Sequence, residues 1–299
     1  MHFKRLTKIV LGLSVMVSGF AGVCQAQAAG DIAVKDGEKI AFLGDSITAG
    51  GWQSPSGYVH LVVSALASND IKVAPIPAGI SGHKSDQMLA RFNNDVISKK
   101  PAWVTISCGV NDVWHGANGI PLDRYKANMT AIVDQAQAAG IKVILLTSTM
   151  IREDASNAEN VKLKDYNAFL TQLAVEKKCL LADLNADMQK AIAEGEAAGK
   201  KRGTMLTADG VHMNVRGDMM MATGILKAVG MNQAELAKAR EVWLDIPNGV
   251  TLRQGLTARQ YEVLEAQAAK EKISVDDLVK RMFDNKVGEF PHQLNNTID

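Results

Sequence analysis

Residues 39–51 read KIAFLGDSITAGG, and the fold turns on how that stretch is understood. The apolar run Ile40–Leu43 stops at Gly44 and is followed at once by Asp45, Ser46 and Thr48. A run that is apolar at nearly every position, rather than every second one, reads as a strand covered on both faces. The polar residues behind it suit the first turn of a helix. Ser46 can therefore cap a helix where a strand hands over to it, or stand at that corner as a nucleophile. The local sequence allows both.

Four further runs have the same character: IKVAPI (71–76), AWVTISCG (102–109), IKVILLTS (141–148) and CLLADL (179–184). Amphipathic stretches separate them. GYVHLVVSALAS follows the first strand and DQMLARFNNDVISKK the second. PLDRYKANMTAIVDQAQAAG has Pro121 at its start and Gly140 as its stop, and another helix is expected over residues 160–178. A helix over residues 218–229 closes the pattern. Five strands alternating with helices predict an α/β protein: a doubly wound, mostly parallel five-stranded sheet in a three-layer α/β/α sandwich. Ligands of such sheets bind outside the carboxyl ends of the strands. The residues just after each run are therefore the ones to examine.

The chain has 299 residues, 47% apolar and 22% charged, which suits a folded globular protein with a sizeable core. Its N-terminus is distinct. Lys4, Arg5 and Lys8 precede the apolar run 9–23, and small residues with Ala26 and Ala28 follow. These are the parts of a secretory signal peptide over residues 1–28, and the apolar run is short for a membrane span. Cys24 offers a lipid-anchor alternative, although Val23 before it is bulkier than such sites carry. Cleavage near Ala28 and export to the periplasm or beyond, with no stable membrane insertion afterwards, are expected. Removing residues 1–28 takes away three basic residues and no acidic one, changing the formal net charge from +1 to −2. That balance gives no electrostatic footprint for nucleic acid or an anionic membrane. Cys108 and Cys179 fall at opposite ends of parallel strands, so they are expected to be buried and unbridged.

The strand exits carry a set of polar residues. Ser46 follows the first. After the second comes AGISGHKSDQM, with Gly79 and Gly82 in a turn running into a helix. GVNDVW, with Asn111, follows the third, and TADGVHMN places Asp209 and His212 three residues apart near the end of the α/β pattern. Each has a bland explanation alone: a cap, a tight turn, an Asx-turn, a polar loop. Together they supply what acyl transfer needs. Ser46 offers a hydroxyl, His212 a base to take its proton, and Asp209 a group to orient that base. The N–H groups of Ser46 and Gly82 and the amide of Asn111 offer three donors for a developing oxyanion. A side chain at position 82 is expected to crowd the approach to that N–H.

FLGDSIT, the glycine of GISG, GVND and the Asp-x-x-His of DGVH resemble the four blocks of the SGNH, or GDSL-type, esterases, in that family's order over about residues 39–230. The resemblance implies a flavodoxin-like α/β/α fold and a serine esterase. It implies Ser46 as nucleophile, Gly82 and Asn111 as oxyanion donors, His212 as base and Asp209 as orienter. Two departures are Ile47, where the family name implies Leu, and Pro77, where members often carry Asn.

Ser46 does not lie in a G-x-S-x-G elbow, and no H-E-x-x-H, metal-spaced cysteine pair or P-loop is present, so an enzyme without a cofactor or metal is expected. His60 and His83 read as surface histidines. Asp45, Trp52 and Trp114 are candidate substrate contacts, the aromatics being able to stack on a sugar or simply to pack loops. A short-chain, acetyl-type ester on a carbohydrate is the expected substrate. A lysophospholipase or thioesterase on the same machinery, and a non-catalytic carbohydrate-binding protein, are the alternatives. The main domain is expected over residues 29–232, with a helical extension over 233–299. In that extension Thr257 and Ser274 are expected to cap two amphipathic helices. The pair resembles ribbon-helix-helix DNA-binding dimers, but export and balanced charge point instead to packing on the main domain or in a homodimer.

Overall fold

A computed structural model describes residues 32–246, 258–273 and 275–288. The expected signal peptide, Cys24, Thr257 and Ser274 lie outside those residues. Strand β1 (Lys39–Gly44) has β2 (Ala74–Gly79) on one side and β3 (Trp103–Ser107) on the other. Beyond β3 come β4 (Lys142–Leu146) and β5 (Leu180–Ala182), giving the order β2-β1-β3-β4-β5 with every pair parallel. This is the flavodoxin-like arrangement. The order reverses between β1 and β3, so a crevice opens at their carboxyl ends.

The helices form the outer layers. α2 (Tyr58–Ser68) packs against α8 (Val215–Ala228) and α9 (Gln233–Leu244), while α5 (Leu122–Ala138) packs against α3 (Ser85–Asp95) and α6 (Ala158–Glu176). Phe42, Leu43, Ile106 and Leu145 are completely buried. Each such side chain contributes about 1.5–3 kcal/mol relative to exposure. Ala33 N–H donates to Val229 O at 2.8 Å, which pins the first described residues to the end of α8.

Three expectations shift. β2 begins at Ala74 rather than Ile71 and includes Pro75 and Pro77. Proline has no N–H for a ladder, but β2 is an edge strand and is partly exposed, so nothing is lost there. Gly79 closes that strand, and a Cβ on it would lie 2.4 Å from the Ala49 backbone nitrogen, so glycine lets the first helix press against β2. Second, α7 (Leu184–Ala197) and α9 are helices that periodicity did not reveal. α9 starts in a capping box between Asn232 and Glu235, and its Trp243 donates to Leu61 O at 3.0 Å on α2. α9 thus belongs with the first compact unit, which runs to residue 248. Third, Cys108 is buried as expected but Cys179 only half so; both are free.

The second unit, residues 249–299, contains α10 (Ala258–Glu271) and α11 (Val275–Gly288). Within it Arg281 pairs with Glu271. No helix among the described residues is long and apolar enough to cross a membrane.

Candidate active site

At the exit of β1, Asp45 caps α1 (Ser46–Gln53) by accepting the Ile47 N–H at 2.9 Å. Ser46 is the first residue of the helix and not its cap, so its hydroxyl is free for another partner. That partner is His212: Nε2 lies 2.9 Å from Ser46 Oγ. On the other side of the ring, Nδ1 lies 2.6 Å from Asp209 Oδ2. With the proton on Nδ1 donated to Asp209, Nε2 presents its lone pair to the serine hydroxyl.

The loop carrying Asp209 and His212 is held by its own backbone. Ala208 N–H donates to His212 O at 2.8 Å and Asn214 N–H to Leu206 O at 3.0 Å, with an antiparallel bridge between Thr207 and Met213. Asp209 Oδ1 accepts the N–H groups of Val211 and His212 at 3.0 and 2.8 Å. Partial burial pushes the Asp209 pKa up, but the His212 ring bond and these two N–H bonds outweigh it and leave it below the usual carboxylate value.

Gly82 and Asn111 converge on the same end of the sheet from β2 and β3. Gly82 is exposed and has a φ of +79°, a left-handed value suited to glycine. A Cβ there would meet no atom within 4 Å. The backbone conformation by itself favours glycine here, and the space a Cβ would take is open rather than filled by protein atoms. Asn111 lies in α4 (Val110–Trp114) and is 5% exposed. One of its amide protons goes to His83 O at 3.1 Å, and Asp45 Oδ2 lies at a long 3.4 Å from the same nitrogen. One strong bond fixes the amide plane and leaves the second proton weakly engaged.

Asp112, which sequence reasoning did not single out, ties these two elements together. It is fully buried and accepts Ser85 N–H at 3.0 Å and Ser85 Oγ–H at 2.6 Å, and Asn128 donates to the same hydroxyl at 3.0 Å. The turn bearing Gly82 is thereby fixed to the helix bearing Asn111. Burial raises the Asp112 pKa against those Ser85 bonds. Its place beside Asn111 in GVND was the available signal. Asp218 was also missed: it accepts Tyr58 N–H at 2.9 Å, joining α8 to α2, and burial pushes its pKa to about 7.

The three candidate substrate contacts fare differently. Asp45 is 2% exposed and engaged as a cap, so its carboxylate faces the protein interior. Burial raises its pKa to about 6. Trp52 is half-buried, and His60 stacks on one of its faces with centroids 4.6 Å apart, leaving at most one face for a ligand. Trp114 is 36% exposed at the end of α4. His60 and His83 are both partly exposed. His83 is half-buried and accepts from Arg91 Nε at 3.1 Å; burial, then the Arg91 charge, pull its pKa down. Among the described residues, no three or more His, Cys, Asp or Glu gather in a metal-binding arrangement.

A serine, a histidine and an aspartate in hydrogen-bonded sequence at the switch point of a doubly wound sheet form an arrangement suited to nucleophilic hydrolysis. Residues 42–219 match the GDSL-like Lipase/Acylhydrolase family, and the chain belongs to it. An acetylxylan esterase of Geobacillus stearothermophilus is 29% identical over 216 residues, covering 66% of this chain and 96% of that enzyme. Its crystal structure superposes with a TM-score of 0.59 over 67% of this chain and 97% of its own. A second acetyl xylan esterase structure, AlAXEase, is 33% identical with a TM-score of 0.59, covering 64% of this chain and 99% of that one. An uncharacterized lipoprotein of Bacillus subtilis, YqeF, is 29% identical over 126 residues, 39% of this chain and 50% of that protein. The chain is a carboxylic ester hydrolase.

Proposed function

We propose that the chain is an exported esterase that removes short acyl groups, acetyl above all, from carbohydrates through an acyl-enzyme on Ser46. The observation that carries the catalytic reading is the unbroken relay from Ser46 Oγ to His212 to Asp209, at 2.9 and 2.6 Å. Ser46 Oγ attacks the acyl carbon while His212 Nε2 takes its proton. The carbonyl oxygen becomes an oxyanion held by the N–H groups of Ser46 and Gly82 and the weakly engaged amide proton of Asn111. Collapse breaks the ester bond, and His212 returns the proton to the leaving alcohol. Water, activated by the same imidazole, then releases the acid and restores Ser46.

Two acetylxylan esterases among the similar proteins support the carbohydrate part, as does an exposed Trp114 able to stack on a sugar ring. Export rests on the basic, apolar and small-residue pattern of residues 1–28 and on likeness to a protein described as a lipoprotein.

A fluorophosphonate probe is expected to label the folded protein, and Ser46→Ala to abolish labelling. Equal labelling of Ser46→Ala would remove Ser46 from the chemistry. Across aryl esters from acetyl to octanoyl, kcat/KM is expected to be highest at the short end. A strong octanoyl preference overturns the acetylesterase reading in favour of a lipid substrate. Replacing Asn111 with Ala is expected to lower kcat about a hundredfold or more while KM moves little, because one oxyanion donor is lost. An unchanged kcat excludes Asn111 from the oxyanion site.

A further inference from the structure

We propose that Glu153 is a positioning residue for catalysis, the carboxylate from which the loop bearing Asp209 and His212 is hung. This rests on the reading of Ser46, His212 and Asp209 as the catalytic relay. Glu153 touches none of their side chains. It stands seven residues past the end of β4, in the segment that leads to α6.

Its surroundings are unusual for a glutamate. The residue is 0% exposed, yet no cation pairs with its carboxylate among the described residues. Instead it accepts five hydrogen bonds, all from the segment 203–207 that leads into the catalytic loop. Oε2 takes the N–H groups of Gly203 and Met205, each at 2.9 Å. Oε1 takes those of Leu206 and Thr207, each at 2.8 Å, and the Thr207 hydroxyl at 2.7 Å. Burial alone would raise its pKa. These donors reverse the effect and hold it below the ordinary glutamate value.

The loop is fastened at a second point next door. Arg152 N–H donates to Gly210 O at 2.6 Å, and Gly210 sits between Asp209 and His212 in the chain. Arg152 and Glu153 have φ values of +58° and +50°, left-handed values that L residues adopt only when surrounding contacts over-determine them. The segment before them is fixed too: Ile151 is fully buried, and its N–H and carbonyl are both bound by Asn160, at 2.9 and 2.7 Å. A rigid bracket built on β4 and α6 thus presents one carboxylate and one N–H to the loop.

The connection to the relay is short. Leu206 and Thr207, the residues Glu153 holds most closely, pair with Asn214 and Met213 across the loop. Asp209 and His212 lie between those pairs. His212 must meet Ser46 on a different element at 2.9 Å, so a displacement of the loop base shifts the imidazole away from the hydroxyl. Misplacement by about 1 Å can cost on the order of a hundredfold in rate.

Glu153→Gln is the sharpest test. The side chain keeps its shape, but either orientation of the amide sets its N–H groups against loop N–H groups, so at least two acceptor contacts are lost. At a temperature where the variant is folded, kcat for an aryl acetate is expected to fall about tenfold to a hundredfold, with KM within about twofold. Labelling by a fluorophosphonate is expected to slow in parallel. A lower melting temperature with unchanged kcat per folded molecule assigns Glu153 to stability alone and overturns the proposal.

Thr207→Val removes one donor and keeps the charge; it is expected to lower kcat by about threefold, with KM unchanged. Should Glu153→Gln fail to fold, this variant decides the matter, and an unaltered kcat overturns the proposal. Hydrogen exchange on the wild-type protein adds a second reading. After correction for intrinsic rates, the Leu206 and Thr207 amides are expected to be protected near neutrality and to open as pH falls through the depressed Glu153 pKa. Fast exchange at neutral pH also overturns it. Ser46→Ala keeps the two readings separate: if that variant remains active the catalytic assignment fails, whereas an inactive Ser46→Ala beside an unimpaired Glu153→Gln sinks only the role of Glu153.

Discussion

Replacing His212 by Ala is expected to lower kcat for an aryl acetate by about a millionfold, as much as Ser46→Ala and as much as both together. The reason lies in the relay. Serine is a weak nucleophile at its own pKa and needs a base at hydrogen-bond distance. Nε2 at 2.9 Å from Ser46 Oγ supplies it. His60 is stacked on Trp52 and His83 accepts from Arg91, so neither is placed to step in. Without the base the hydroxyl is no better than bound water, and without the hydroxyl the base has nothing to activate. The two losses therefore do not multiply. The measurement is kcat for both single variants and the double. A double variant that loses far more than either single one would falsify joint action and assign the two residues to separate steps. Residual rate above buffer, of about a thousandfold, is expected to persist from the oxyanion donors and substrate binding.

The hydrogen-bonded relay could be read from sequence because the chemistry proposed for it demands particular residue types: Ser46, Asp209 and His212 have few substitutes. The five parallel strands were legible in continuous apolar runs, the pattern of a sheet covered on both faces, whereas their flavodoxin-like arrangement was implied only by the resemblance to the esterase family. Other features depend on partners that leave no local trace. Asp45, not Ser46, caps α1, and only the side-chain direction at that corner decides between them. β2 starts late because its prolines are tolerated at an edge, and being at the edge is a property of the whole sheet. α9 joins the main unit through Trp243 reaching Leu61 O, a contact 182 residues apart in sequence. Glu153 is the clearest case. Its partners are mostly backbone N–H groups, which every residue but proline has, so no motif announces it.

Changing Asp209 to Asn is expected to lower kcat about ten-thousandfold with little effect on KM. The substitution leaves the loop intact, because the amide oxygen can still accept the N–H groups of Val211 and His212. What changes is the partner at Nδ1. Asp209 Oδ2 can only accept, so it keeps the ring proton on Nδ1 and the lone pair on Nε2. An asparagine nitrogen facing Nδ1 can only donate, which moves the proton to Nε2. That tautomer cannot receive a proton from Ser46. Nitrogen NMR of His212 is expected to show the Nδ1–H form in the wild-type protein and the Nε2–H form in the variant. An unchanged tautomer, or a fall in kcat below tenfold, would exclude Asp209 as the orienter. The pH dependence carries a definite sign. The folded-state pKa of Asp209 is depressed, so its stabilising contribution is complete above the ordinary carboxylate range and fades as pH falls through the lowered value. Its side chain is 56% exposed, so solvent screens that contribution to stability and the variant is expected to fold almost as well as the parent. The loss is of geometry at one ring nitrogen, and it is read in kcat.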